Sequence, residues 1–222
     1  SGNFCDQSPR SGFLSSGQAM TTVWRRVIQI AFLGLFMALL VTGKMQLWMG
    51  IFVLGVLASL FWSRLYCGWI CPINTTMEGI SFVKKKNHLK SFKIPRWLSK
   101  PWLRLVILLL FFLVFVFVML TGKKLPILPL LFAGGVILTL FFPAELWHRF
   151  LCPYGTILSL SSMKARHAMV IDPEKCNNCG ACQKACPAGA IEKQTKHQIH
   201  QNDCLVCLKC QESCHQKAIR YQ

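Results

Sequence analysis

The chain has few acidic residues and lacks the motifs that hold large organic redox cofactors. Eight Asp and Glu stand against 25 Lys and Arg, a formal net charge of +17 in 222 residues. No CxxCH motif is present, which excludes attached c-type haem. No glycine-rich dinucleotide loop is present either, so a flavin or nicotinamide site would have to belong to another protein. The positive charge alone could suggest nucleic acid as a partner.

Cysteine is abundant by contrast, with 12 residues, and eight of them form two copies of one spacing. The runs are Cys176-x2-Cys179-x2-Cys182-x3-Cys186-Pro187 and Cys204-x2-Cys207-x2-Cys210-x3-Cys214. In two-cluster ferredoxins the fourth cysteine of each run ligates the other cluster. The predicted [4Fe-4S] sets are therefore Cys176, Cys179, Cys182 with Cys214, and Cys204, Cys207, Cys210 with Cys186. Disulfides or zinc sites are the alternatives, but the doubled spacing favours clusters.

The apolar residues lie upstream of residue 160 and indicate a membrane protein. Hydrophobic residues make up 53% of the chain, with a mean hydropathy of +0.42. Four stretches carry no charge: 27–43, 45–63, 105–122 and 125–144. Each is near the roughly 17 to 20 residues that a membrane-spanning helix needs. A single run of this length could be a buried core helix, but four of them leave too little chain for a soluble protein.

The distribution of lysine and arginine predicts the orientation of these helices, because cytoplasmic flanks carry the excess. The predicted outer turns hold only Lys44, Lys123 and Lys124, whereas Arg25 and Arg26 precede the first run. The central loop and its flanks hold Arg64, Lys84, Lys85, Lys86, Lys90, Lys93, Arg96, Lys100 and Arg104. We therefore expect a multi-pass protein of a prokaryotic cytoplasmic (inner) membrane, with both termini in the cytoplasm. Anionic lipid headgroups explain the basic residues better than nucleic acid does.

Tryptophans support the same topology. All seven, namely Trp24, Trp48, Trp62, Trp69, Trp97, Trp102 and Trp147, fall near predicted helix ends, as in an interfacial aromatic belt. The recognisable redox ligands would then all lie on one membrane face. Electron transfer across the bilayer would need a quinone as mobile carrier or partner subunits.

A second set of cysteines lies in an internal duplication. The segment Leu65-Tyr66-Cys67-Gly68-Trp69-Ile70-Cys71-Pro72 aligns without gaps with Leu146-Trp147-His148-Arg149-Phe150-Leu151-Cys152-Pro153. Parallel repeats would bring the two ends together. We therefore predict an interfacial redox or metal site of Cys67, Cys71, Cys152 and His148. If each helix continued that far, the spacing of four would place both ligands on one helix face. The alternative is that these small thiols only pack at helix ends.

These motifs together resemble those of a known family. The segment CGWICP, its repeat LCPYG and the two CxxCxxCxxxC runs are similar to the membrane polyferredoxins of the NapH, NosR and CcoG type, over residues 22–222. The resemblance implies a four-helix membrane ferredoxin that relays electrons between a quinol pool and a reductase system, or reduces a metal ion. Cysteine often opens the second membrane motif in that family, and His148 takes its place here.

The expected fold class is mainly α: a four-transmembrane-helix bundle of two parallel hairpin repeats, followed by a cytoplasmic bacterial-type two-[4Fe-4S] ferredoxin domain of the α+β class. The expected domains are a flexible polar lead (1–21, with Cys5), a transmembrane domain (22–165) and the ferredoxin domain (166–222). Membrane lipid and either quinone/quinol or partner subunits are the expected partners.

Two functions fit these expectations. The first is an electron-relay subunit of an oxidoreductase complex, and the alternative is an independent metal (cupric) reductase. A third cluster or a metal ion could occupy the interfacial site. Glu78 and Glu145 are the only acids beside the membrane ends, and either could accept a quinol proton, although a solvated carboxylate is the simpler interpretation. No catalytic residue is assigned.

Overall fold

The structure, a computed structural model, describes residues 16–95, 97–98, 100–121 and 127–222. Most of the predicted lead, with Cys5, and the outer-turn lysines 123 and 124 lie outside these ranges. The described chain is mainly helical and ends in a small α+β ferredoxin domain. We use "helical part" for helices α1 to α8, which precede this domain.

Four long helices coincide with the four charge-free stretches. They are α1 (Ser16–Val41), α2 (Gln46–Trp62), α5 (Pro101–Thr121) and α6 (Ile127–Phe141). Within the described residues, the segment Met20–Val41 is the one helix whose length and composition suffice to cross a membrane. The other three are apolar but contribute shorter segments of 10–17 residues.

Further helices follow α2 and α6 in the same order in both repeats. In the first repeat α3 (Leu65–Trp69) leads to α4 (Pro72–Lys86). In the second, α7 (Ala144–Leu146) and a π-helical turn (Trp147–Leu151) lead to α8 (Pro153–Ser161). Pro72 and Pro153 each occupy the first turn of their helix, where a missing N–H costs nothing.

The two repeats each contain a Cys-Pro pair, Cys71-Pro72 and Cys152-Pro153, which we call the CP motifs. The preceding helix does not continue through either motif. Cys71 (φ −63°, ψ 117°) and Cys152 (φ −81°, ψ 110°) have extended backbone, as the residue before proline prefers. The cysteine at the break therefore does not share a helix face with the residue four positions earlier. The condition under which the spacing of four would place each pair on one helix face, a helix that continues to the cysteine, is therefore not met.

The two repeats exchange their last helices. Helix α4 of the first repeat packs against α6 of the second as well as against α1. Helix α8 of the second repeat packs reciprocally against α2 of the first and against α5. This exchange brings the two helix breaks, and therefore their cysteines, to the centre of the same assembly.

Several basic and aromatic residues assigned to the membrane surface are buried. Arg25 and Arg64 are each 1% exposed, and Lys84 is 9% exposed with its ammonium donating to the carbonyl oxygens of two residues of α6. Trp48 and Trp147 are also buried. Their assignment to headgroups or to an aromatic belt is wrong, because each fills space or finds a polar partner inside the protein.

The ferredoxin domain contains two antiparallel strand pairs and two short helices. Strand β1 (Met169–Ile171) pairs with β4 (Ile219–Tyr221), and β2 (Ile191–Lys193) pairs with β3 (His197–Ile199). Helices α9 (Ala181–Ala185) and α10 (Lys209–Glu212) carry the third cysteine of each run. The buried core contains Met169, Ile191, Leu205 and Ile219, together with several cysteines.

Candidate functional site

The two cysteine runs have the same backbone as well as the same spacing. Left-handed φ angles occur at Asn178 (61°) and Gly180 (76°) in the first run and at Val206 (51°) and Leu208 (62°) in the second. Asn and Gly accept this conformation readily, whereas a β-branched residue such as Val206 is strained in it. Such strain persists at functional sites where the surroundings impose it. Both runs therefore adopt the same loop conformation even where, as at Val206, the residue does not favour it.

One predicted ligand set lines a common cavity. Cys186, Cys204, Cys207 and Cys210 all line one cavity inside the ferredoxin domain, which we call the ferredoxin cavity. Burial raises the pKa of the Cys204 thiol to about 12 and that of Cys207 to about 11. Buried thiols around a cavity fit a bound iron–sulfur cluster, because cluster ligation replaces their protons and satisfies the sulfurs. The Ala190 N–H also donates to Cys186 Sγ at 3.3 Å.

The other predicted set surrounds Cys182. Burial raises the pKa of this thiol to about 11, and the nearby thiols of Cys214, Cys179 and Cys176 contribute to the rise. The fourth cysteine of the second run thus lies close to the first run in space. Cys179 is exposed, unlike Cys204, Cys207 and Cys210, which are buried.

The cysteines of the helical part meet at a separate cavity. Cys67, Cys71 and Cys152 line a cavity whose walls are mostly aromatic and aliphatic, and which we call the CP cavity. Burial raises the pKa of Cys152 to about 12, and the nearby Cys67 thiol adds to this effect. Burial likewise raises the pKa of Cys71, with further contributions from Cys67 and Cys152. The duplication therefore brings the three thiols together.

His148 lines the same cavity and is buried. Its Nε2 has no hydrogen-bond partner within the described chain. Burial, together with the nearby guanidinium of Arg64, lowers the pKa of His148 to about 3, so the ring is neutral. A neutral imidazole with an unpartnered nitrogen can ligate a metal or accept a hydrogen bond.

The described cysteines are not drawn tightly together. Within the described residues, no group of three or more His, Cys, Asp or Glu side chains is arranged to hold one metal ion. A tetrahedral zinc site, with Zn–S distances of about 2.3 Å, would need such a tight group. A four-iron cluster, whose irons each bind one thiolate, keeps the sulfurs further apart.

The second cysteine run is packed directly on the segment around the first CP motif. A Cβ atom on Gly68 would overlap the carbonyl oxygen of Leu205, so only glycine allows this approach. The indole Nε1 of Trp69 donates to the Val206 carbonyl oxygen at 3.1 Å, and the Gln29 amide donates to the Gly68 carbonyl oxygen at 2.9 Å. The contacts of Gly68 and Trp69 hold the ferredoxin cavity beside the helical part, and the Gln29 hydrogen bond fixes α3 to α1.

Arg64 joins the two cysteine sites, a role that the sequence did not reveal. Its Nη2 lies 3.9 Å from Cys67 Sγ, and its Nη1 donates to the Asn202 carbonyl oxygen at 3.3 Å. Asp203, the residue before Cys204, lies 4.0 Å from Arg64 and 3.0 Å from Arg104. In the sequence, Arg64 directly precedes the repeated segment that begins at Leu65, and this position could have indicated its role. A basic residue beside an apolar run, however, usually faces lipid headgroups.

Glu78 is the second residue whose role was missed. It is 4% exposed, and its Oε1 accepts a hydrogen bond from Arg25 at 3.1 Å and lies 3.5 Å from Lys209 Nζ. Burial alone would raise its pKa, but the nearby cations of Lys209 and Arg25 outweigh burial and lower it. The interpretation of Glu78 as a solvated carboxylate is wrong. Glu145, by contrast, is partly exposed and pairs with Arg149 at 3.6 Å.

Family models match three segments of the chain. One model, described as a 4Fe-4S binding domain, matches twice, over residues 45–90 and 125–169. These two segments contain the two CP motifs, so the match follows the duplication. A second model with the same description matches residues 169–192, which contain the first ferredoxin run.

Several curated proteins are similar to this chain. YccM of Escherichia coli (strain K12), named as a putative electron transport protein, is 25% identical over 182 residues, which are 72% of this chain and 51% of YccM. The ferredoxin-type protein NapH of the same organism is 27% identical, over 74% of this chain and 64% of NapH. The regulatory protein NosR of Stutzerimonas stutzeri is 25% identical, over 74% of this chain and 26% of NosR.

The chain thus spans about half the length of YccM and about a quarter of NosR. No solved structure matches it. The family models cover both CP motifs and the first cysteine run of the ferredoxin domain, and the named relatives include ferredoxin-type and electron transport proteins. The chain is therefore a polyferredoxin of the NapH and NosR type.

Proposed function

We propose that this chain is a multi-pass membrane protein of the prokaryotic cytoplasmic membrane that relays electrons through two [4Fe-4S] clusters. Its domains are a polar lead (1–21), a four-helix transmembrane domain (22–165) and a ferredoxin domain (166–222). The observation that carries the proposal is the ferredoxin cavity, lined by Cys186, Cys204, Cys207 and Cys210 and held beside the CP cavity of the helical part.

Crossed ligation is supported by the thiols that lie near one another. Cys182 has Cys214, Cys179 and Cys176 as neighbours. In the other set, Cys186 joins Cys204, Cys207 and Cys210 around one cavity. When bound, such clusters accept and release single electrons, and the burial and hydrogen bonding of their sulfurs set the reduction potential. In this chain, the Ala190 N–H and the burial of Cys204, Cys207 and Cys210 would influence the reduction potential.

A four-helix membrane topology is supported by the apolar surface of the helices. Large apolar side chains are exposed along α1, α2, α5 and α6, for example Leu57, Leu109 and Ile137. A soluble protein rarely leaves so much contiguous apolar surface in water. Both termini and the ferredoxin domain would then lie in the cytoplasm, as the basic central loop predicts.

We propose that the CP cavity is the third redox site, holding a further iron–sulfur cluster or a metal through Cys67, Cys71, Cys152 and His148. The ultimate donor or acceptor is a quinone/quinol or a partner subunit of a larger complex. Support comes from three thiols and an unpartnered buried imidazole nitrogen around one apolar cavity.

Anaerobic purification tests the proposal. Iron, sulfide, copper and zinc are measured beside electron paramagnetic resonance (EPR) spectra of the reduced protein. Two clusters predict about eight iron and eight sulfide per chain, and an occupied interfacial site adds metal to that total. A relay subunit should also leave the membrane together with partner subunits. Fewer than about four irons per chain after careful anaerobic work would refute the cluster assignment.

A metal reductase is the second candidate, favoured by the three thiols that share one cavity with His148. The double variant Cys71→Ser/Cys152→Ser tests this site. We expect it to lose a metal or spectral component while both ferredoxin clusters remain. Cupric reduction by the purified chain alone, lost in this variant, would favour the reductase. Unchanged metal content and unchanged electron transfer would reduce these residues to packing cysteines.

A further inference from the structure

The loop of the first cysteine run presents a face that the helical part does not use. Among the described residues, none in 172–186 forms a hydrogen bond or ion pair with α1 to α8, whereas the second run contacts Gly68 and Trp69. Cys179 is exposed on this loop, while the corresponding Cys207 is buried. The helical part therefore covers the second run, whereas the first run leaves Cys179 exposed to water.

Exposed lysines lie on this loop and beside it. Lys175, Lys184 and Lys193 are all exposed, and the one exposed acid of the loop is Glu174. The turn between β2 and β3 packs on the same loop, because the Asn178 amide donates to the Thr195 carbonyl oxygen at 2.8 Å. Lys193 at the end of β2 thus belongs to this surface. Lys175 lies 3.9 Å from Asp172, whereas Lys184 and Lys193 have no carboxylate partner within the described chain.

We propose that this lysine face, defined by Lys175, Lys184 and Lys193 around Cys179, is a docking surface for a soluble, acidic redox protein. The proposal rests on the proposed function, since an electron carrier gains from docking here only if the nearby cysteines hold a cluster. Complementary charge raises association rates and disfavours partners of the wrong sign. Anionic lipid headgroups could also bind lysines, but among the described residues the loop that carries this face forms no hydrogen bond or ion pair with the helical part.

The test measures binding rather than electron transfer. The full chain is purified anaerobically in nanodiscs of zwitterionic lipid, and its iron and sulfide are determined. An acidic flavodoxin serves as the probe, and its dissociation constant is measured by biolayer interferometry at low and high salt. The variant pair is Lys184→Glu with Lys193→Glu. The matched control is Lys85→Glu with Lys86→Glu, two exposed lysines at the end of α4.

We expect the Lys184/Lys193 pair to raise the dissociation constant about tenfold at low salt, with the difference shrinking at high salt as screening increases. The control pair should leave it unchanged. If the charge-reversed protein does not assemble, the pair Lys184→Gln with Lys193→Gln carries the test, with a smaller increase expected.

Three results would overturn the proposal. The first is that flavodoxin does not bind to the unmodified chain. The second is that both variant pairs change the dissociation constant equally. The third is that the Lys184/Lys193 pair binds flavodoxin as the unmodified chain does but no longer binds vesicles of anionic lipid. The last result would assign the face to headgroups. Missing iron and sulfide would count against the proposed function instead, and the binding measurement would still decide whether the lysine face docks the carrier.

Discussion

At the scale of single residues, buried charges connect the helical part to the ferredoxin domain. Arg25 on α1, Glu78 on α4 and Lys209 on α10 meet around one carboxylate oxygen, with Asn74 also donating to it at 3.3 Å. Removing one member of a buried ion pair is costly, because the remaining charge stays buried without compensation. The docking of the two parts therefore depends on Glu78 more than on any exposed ion pair.

Glu78→Gln should destabilise the protein by about 3 kcal/mol, because the charges of Arg25 and Lys209 would lose their counterion. Glu145→Gln is the matched control, since its ion pair with Arg149 is far more exposed and contributes less than about 1 kcal/mol. Thermal unfolding followed by circular dichroism would compare the two. Equal losses would contradict the assigned role of Glu78.

The same carboxylate makes stability depend on pH. The pKa of Glu78 is lower in the folded protein than its ordinary value of 4.5. Its contribution to stability is therefore fully present above pH 4.5 and is lost as the pH falls through the folded-state pKa. The difference in stability between the parent chain and Glu78→Gln should accordingly shrink as the pH drops below about 4.5.

Cys186→Ser separates crossed from uncrossed ligation. The side chain lines the cavity of the second run, so the cluster bound mainly by Cys204, Cys207 and Cys210 should be damaged. Iron should fall from about eight towards about four per chain, with one EPR component retained. Loss of only the cluster bound by Cys176, Cys179 and Cys182 would show that the runs are not crossed.

At the scale of elements, the breaks between helices form the sites. Cys71 and Cys152 stand in extended backbone before prolines that start α4 and α8. In the ferredoxin domain, left-handed residues before α9 and α10 bend each run around its cysteines. Successive N–H groups in such loops favour bound anions, including iron–sulfur clusters. The irregular segments, which a helix count ignores, thus shape both candidate sites.

The approach of α3 to the second cysteine run gives a prediction about one glycine. Gly68→Ala places a methyl group against the Leu205 carbonyl oxygen, which is backbone and cannot rotate away. We expect a loss of about 1–3 kcal/mol and faster proteolysis between α8 and the ferredoxin domain.

Gly79→Ala on α4 is the matched control for this variant. Among the described residues nothing lies within 4 Å of a Cβ placed there, so this change should be neutral or slightly stabilising. Thermal unfolding and limited proteolysis measure both variants. Equal behaviour of Gly68→Ala and Gly79→Ala would show that the close approach of α3 contributes nothing.

At the scale of the whole molecule, the reciprocal exchange of α4 and α8 makes one assembly from two repeats. The helix breaks then meet around the CP cavity, and the ferredoxin domain sits beside it through Gly68, Trp69 and Arg64. The second cysteine run packs against the helical part, whereas the first run exposes Cys179.

The proposed topology predicts which side of the membrane the central loop occupies. Single cysteines introduced at positions 85 and 90 should resist a membrane-impermeant maleimide in intact cells and react after lysis. A cysteine introduced at Lys44, in the turn between α1 and α2, should react from outside. Labelling of the central loop in intact cells would overturn the orientation, whatever the cluster content.

The amino-acid sequence was enough to predict which cysteines are candidate ligands and that the helical part contains a duplication. Spacing alone predicted the two ferredoxin runs, because a chelating loop must supply its thiols at fixed separations, and charge-free stretches predicted the four long helices. The alignment of the two CP motifs also led to the grouping of Cys67, Cys71 and Cys152 around one cavity. Local patterns sufficed for helices and cysteine runs, because these depend on neighbouring residues, and the internal repeat sufficed for the grouping of the distant cysteines. The ligand sets and the membrane topology themselves stay predictions that metal analysis and labelling must test.

Only the tertiary structure decided which polar residues are buried and what they contact. Arg25, Arg64 and Lys84 look in the sequence like basic residues at a membrane surface, because a basic residue beside an apolar run is usually solvated. In the fold each is covered by a partner far away in the chain, as Arg25 is by Glu78. Burial depends on long-range packing, which the exchange of α4 and α8 sets and which no local pattern records.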